Sequence, residues 1–164
     1  MKKEVFILSA VRTPIGSYGG TLAEVSATQL GARAILCAVE RSGVASESLE
    51  AVVMGNVLSA NLGQAPARQA ALAAGLPENV CATTVNKVCA SGLKAVSMLF
   101  QDMRLGDLSI GVAGGMESMS QVPFYLPNAR FGLGDGNRQI IDGLAYDGLT
   151  DVYSGASMGI CGGK

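Results

Sequence analysis

Cys89 stands where an apolar strand gives way to a helix, and a cysteine so placed can act as a nucleophile. The segment Val85-Asn86-Lys87-Val88-Cys89-Ala90-Ser91-Gly92-Leu93-Lys94-Ala95 reads as a strand end, a sharp polar turn and the first turns of a helix. Helix N-termini carry unpaired N–H groups and the positive end of the macrodipole. Both favour thiolate over thiol, and the same N–H groups can hold a developing oxyanion. The chemistry this predicts is attack on a carbonyl carbon with a covalent intermediate on sulfur.

A cysteine between apolar residues is also, often, only a small buried hydrophobe. Cys37, on the apolar face of an expected helix, and Cys81, within an expected strand, read as core. Cys161, in a glycine-rich stretch, reads as incidental. Lys87 could favour a Cys89 thiolate through its charge, although a solvated or subunit-contact role suits it better. Gly92 would leave a ligand room in the first helical turn, or simply allow close packing. Glu117 follows a strand end, where sites of α/β proteins gather, and is the one carboxylate to consider as a base.

The elements that must position Cys89 alternate. Strands are expected over residues 4–10, 51–55, 81–85 and 108–113, and helices over 28–41, 66–74 and 89–104. Leu30, Ala34, Cys37 and Ala38 share one face of the first helix, and Gly43 stops it. Pro66 suits the first turn of the second helix. The third carries Leu93, Val96, Leu99, Phe100 and Met103. Such alternation predicts a mostly parallel sheet covered by helices. Beyond Ser118 the periodicity fails among prolines and glycines. Gly132-Leu133-Gly134-Asp135-Gly136 reads as turns, since no strand leads into it as a dinucleotide site requires.

Composition narrows the function classes. The chain has 164 residues, enough for a real core, and 49% of them are apolar. A net charge of −1 offers no basic stripe for nucleic acid. No apolar run approaches the ~20 residues that span a bilayer, and 5–11 makes a poor secretory signal. Four cysteines without ligand spacing suggest a reducing compartment, the cytoplasm, and no metal site. There is no histidine. Base catalysis near neutral pH must therefore do without one, borrow one, or belong to residues outside this chain.

Asn86-Lys87-Val88-Cys89-Ala90-Ser91-Gly92-Leu93-Lys94-Ala95 resembles the nucleophile segment of the thiolase family, in its biosynthetic branch. Val11-Arg12-Thr13-Pro14-Ile15-Gly16, Gly55-Asn56-Val57-Leu58, Gly63-Gln64-Ala65-Pro66-Ala67-Arg68-Gln69 and Gly114-Gly115-Met116-Glu117-Ser118-Met119-Ser120 match it in family order. The resemblance implies a thiolase-like α/β fold. Its first-half β-α-β-α-β-α-β unit would occupy residues 1–117, lacking its last strand, and part of the loop domain would occupy 118–164. It implies transfer of an acetyl group between coenzyme A thioesters, two acetyl-CoA giving acetoacetyl-CoA or the reverse, through an acetyl-thioester on Cys89. Coenzyme A thioester is then the substrate and no separate cofactor is needed.

Further implications follow from the same resemblance. Leu149 and Met158 match positions lining the acyl pocket, Asp147–Tyr153 resembles the segment beside the pantetheine arm, and Glu117 falls in a structural motif. Ser157 stands where a histidine is common. The family's downstream histidine and second cysteine have no counterpart here, so the chain reads as an N-terminal part, inactive alone, of a homodimer or homotetramer in fatty acid metabolism. Apolar surface meant for a sister half would be exposed. The alternatives are a non-catalytic oligomerising remnant, or a ketoacyl-synthase-like condensing enzyme that shares the strand–cysteine–helix device.

Overall fold

A computed structural model describes residues 4–162. Helix α1 (Ala27–Ser42) begins where Ser26 and Gln29 close a reciprocal capping box. It ends at Gly43, whose left-handed φ of 70° completes the cap. Strand β1 (Ala51–Gly55) is buried along its whole length. Helix α2 (Pro66–Ala73) starts with proline in its first turn, and its Ala67 N–H donates to the Thr84 hydroxyl at 3.0 Å. Strand β2 (Cys81–Val85), helix α3 (Ser91–Leu105) and strand β3 (Gly111–Gly115) follow.

The three strands form one parallel sheet in the order β2-β1-β3. Side chains of β1 alternate as the pleat requires. Val52 and Met54 join Ala27, Ile35, Ala67, Ala70 and Ala71 in a core shared with α1 and α2. Ala51 and Val53 meet Ala95 and Leu99 of α3 on the other face. Gly55 lets α3 approach: a Cβ there would lie 2.6 Å from the backbone of Ser91 and Gly92. Gly55, Val85 and Gly115 are paired in register, so all three strands deliver their C-terminal ends to one rim.

Residues 4–10 form no ladder, contrary to the expected first strand. They carry no helix or strand, Ile7 is 84% exposed, and the Ser9 hydroxyl donates to the Ala38 carbonyl at 2.7 Å. The segment and β3 instead face each other across a groove of about 1020 Å³, whose walls include Phe6, Leu8, Ile110 and Val112. An apolar run specifies a burial site but still needs a neighbour for its N–H and C=O groups. The last expected strand begins later than residue 108. Glu50 occupies Ser109 and Ile110 through one side-chain and one backbone hydrogen bond, and pairing starts at Ala51 opposite Gly111.

The chain after β3 forms short elements: an antiparallel pair, β4 (Phe124–Tyr125) with β5 (Ile141–Asp142), a π-helical turn Ala145–Leu149, and helix α4 (Met158–Cys161). Gly132, Gly134 and Gly136 all have positive φ, as the expected turns require. Among the described residues no helix is long and apolar enough to cross a membrane.

Candidate active site

Cys89 lies exposed on the sheet's C-terminal rim, in the turn between β2 and α3. Helix α3 begins at Ser91 rather than at Cys89, because residues 87–90 are spent on the turn. Val88, just before the cysteine, has φ 49°. That region is unfavourable for a β-branched residue and costs of order 1–3 kcal/mol. Hydrogen bonds over-determine it. Asn86 Oδ1 accepts from the Val88 N–H at 2.9 Å. The buried Ser91 hydroxyl accepts from the Lys87 N–H at 2.8 Å and donates to the Val88 carbonyl at 2.6 Å. The Ser91 N–H donates to that same carbonyl. The result is a fixed elbow that presents Cys89 at the head of α3.

Ser91 is a site residue that sequence reasoning missed. Its signal was present: a small hydroxyl residue three places after Val88 at a helix start. Cys81 is exposed on the outer strand β2, not in the core as expected, because nothing among the described residues covers that edge. Cys37 is half-buried and Cys161 exposed. A Cβ at Gly92 would meet nothing closer than the Gly114 carbonyl at 3.9 Å, so space is left beside the elbow.

Glu117, just past β3, is bound rather than free. Its carboxylate accepts from Asn56 Nδ2 at 2.7 Å, the Val57 N–H at 2.9 Å and the Leu58 N–H at 3.1 Å. Burial pushes its pKa above the ordinary carboxylate value, and the two backbone N–H groups oppose that. A carboxylate with all these donors already on it is a poor base for substrate.

Leu149 is 41% and Met158 37% exposed. The π-helical turn that carries Leu149 touches the sheet's rim through Gly148, where a Cβ would lie 3.2 Å from Leu58 Cδ2. Asp147 is held by the Tyr125 hydroxyl at 2.5 Å, and that bond drives the Tyr125 pKa up to about 12. The Ser154 hydroxyl and N–H hold the Asp151 carboxyl below its usual range. Thr150 and Ser157 form a bridge that brings the two ends of this segment together. Ser157, at the position where the resemblance implies a common histidine, caps α4 by accepting from the Gly159 N–H. Among the described residues no hydrogen bond joins residues 141–162 to the elbow.

Comparison with known proteins identifies the family. Residues 5–164 match the family described as thiolase, N-terminal domain. An acetyl-CoA acetyltransferase of Schizosaccharomyces pombe is 55% identical over 95% of the chain and 40% of its own length. A Gibberella zeae acetyl-CoA acetyltransferase named as cytosolic is 55% identical over 95% of the chain and 39% of its own. A second from that organism, named as mitochondrial, is 51% identical over 97% and 37%. The chain thus spans about 40% of the length of the first of these relatives. The matched residues run from the N-terminal segment through the elbow to the last residue, and on that ground the chain belongs to the thiolase family.

Proposed function

We propose that these residues form the N-terminal domain of an acetyl-CoA C-acetyltransferase. The observation that carries the reading is the elbow: a cysteine, exposed, fixed after a strained residue and set at the head of a helix, in a chain whose relatives are named for acetyl transfer. The Cys89 thiolate attacks the thioester carbonyl of acetyl-CoA. The carbonyl carbon–sulfur bond to coenzyme A breaks, and the coenzyme A thiolate takes a proton as it leaves. A second acetyl-CoA then loses a methyl proton and its carbanion attacks the acetyl-Cys89 carbonyl. Acetoacetyl-CoA is released and Cys89 returns. With no histidine in these residues and Glu117 occupied, the groups that move those protons come from elsewhere in the enzyme.

Leu149 and Met158 are the proposed acyl-pocket residues, suited by their apolar side chains to a thioester that makes few polar contacts. The unpaired edge of β2 supports a homodimer or homotetramer, since an exposed edge is a template for pairing. Coenzyme A thioester serves as substrate, so the reading invokes no further cofactor. Placement in the cytoplasm and in fatty acid metabolism completes it. Relatives named cytosolic and mitochondrial both match, so the compartment rests on the four free cysteines.

The test is acetoacetyl-CoA formation from acetyl-CoA by the enzyme isolated from its natural source. Cys89→Ala should lower it by at least ~10³-fold. Retained turnover would remove Cys89 from the mechanism. A requirement for acyl carrier protein would point instead to a ketoacyl synthase.

A further inference from the structure

We propose that Glu117 is the positioning residue of this site, tying the Cys89 elbow to the loop after β1. The inference rests on the proposed role of Cys89. Three donors from three successive residues, Asn56, Val57 and Leu58, converge on its two carboxylate oxygens. An ionised carboxylate accepts at every one of those places with no proton of its own in the way. An amide would turn its NH₂ toward one of the N–H donors.

Two routes lead from this clamp to the nucleophile. Asn56 is 2% exposed, and its backbone N–H donates at 3.0 Å to the carbonyl of Val85, the last residue of β2 before the elbow. Its side chain also donates to the Met116 carbonyl at 3.1 Å, so it spans from β2 to β3. The second route is longer. The carbonyl of Val57 accepts from Asn86 Nδ2 at 3.5 Å, and Asn86 Oδ1 in turn holds the N–H of strained Val88. The same clamp fixes Leu58, whose side chain packs on Gly148 beside Leu149. One carboxylate therefore sets the loop that connects to both the elbow and the proposed acyl pocket.

The experiment compares the 164-residue chain with Glu117→Gln, Asn86→Ala and the double variant. Iodoacetamide labelling is resolved by peptide mass spectrometry, with exposed Cys81 as the internal standard. Relaxing the elbow takes Cys89 off the head of α3, whose positive end favours an attacking anion. The Cys89-to-Cys81 rate ratio should fall at least threefold in each single variant, and the double should fall no further than the lower of the two. An unchanged ratio in Glu117→Gln, or independent effects that multiply in the double, overturns the proposal. Amide exchange judges the link whether or not Cys89 is the nucleophile, and it remains readable if Glu117→Gln fails to fold. Asn86→Ala should speed exchange at Val57 and Leu58 at least threefold while α1 and α2 are unaffected, and no such change overturns the link. Wild-type Cys89 that labels no faster than Cys81 would sink the nucleophile reading alone.

Discussion

Val88 carries the strain on which the elbow depends, and the Ser91 hydroxyl is the group best placed to hold it there. Ser91→Ala removes the one buried hydroxyl beneath an exposed turn and leaves the Lys87 N–H without its partner. A loss of about 0.5–1.5 kcal/mol in denaturant unfolding is expected, together with slower labelling of Cys89. Unchanged stability would show that the turn holds itself. A second prediction concerns Tyr125, whose folded pKa is raised to about 12 by its hydrogen bond to Asp147. The protonated phenol is the bonded form, so its contribution is full below the ordinary tyrosine pKa of 10.0 and is lost as pH rises through about 12. Phenolate absorbance should show a late phase near pH 12 that disappears in Tyr125→Phe.

At the scale of elements, the close seat of α3 on the sheet makes a sharp contrast between two glycines. Gly55→Ala would drive a Cβ to 2.6 Å from backbone that cannot yield, and overpacking of this kind costs about 1–3 kcal/mol. Gly92→Ala meets only ordinary contacts, none closer than 3.9 Å, in the first turn of a helix, where alanine is tolerated at least as well as glycine. Thermal unfolding should therefore show the first variant destabilised and the second equal to or more stable than wild type. Much of this layer was legible in the sequence. The bounds of β1 and β2 match because apolar and β-branched runs end there in Gly55-Asn56 and Asn86. The start of α3 moved because two residues of apparent helix belong to the elbow, and the Gly-rich β3 moved because its pairing is set by β1. The Asn56–Glu117 clamp was not legible. It joins residues 61 positions apart, and no local periodicity reports such a contact.

The whole molecule presents a two-sided sheet with one helix face left uncovered. Leu93, Val96 and Phe100 of α3 are exposed along the same groove that β3 lines, and Leu93 is 75% exposed. With Phe6, Ile7 and Leu8 beside the groove, they make apolar surface of the kind that mediates contact with other chain. The exposed apolar residues of α3 and of the N-terminal segment contribute to this surface together. The isolated 164-residue chain should therefore self-associate with rising concentration. Leu93→Lys with Ile7→Lys should reduce that association, read by light scattering, while leaving the unfolding midpoint within about 0.5 kcal/mol of wild type, as surface substitutions do. Transfer of an acetyl group to Cys89, as proposed for the elbow, is read in the intact mass of the protein from its natural source after incubation with acetyl-CoA. One added acetyl group that maps to Cys89, and is absent in Cys89→Ala, is the predicted result. No adduct in the wild type, or an adduct that persists in the variant, would contradict it.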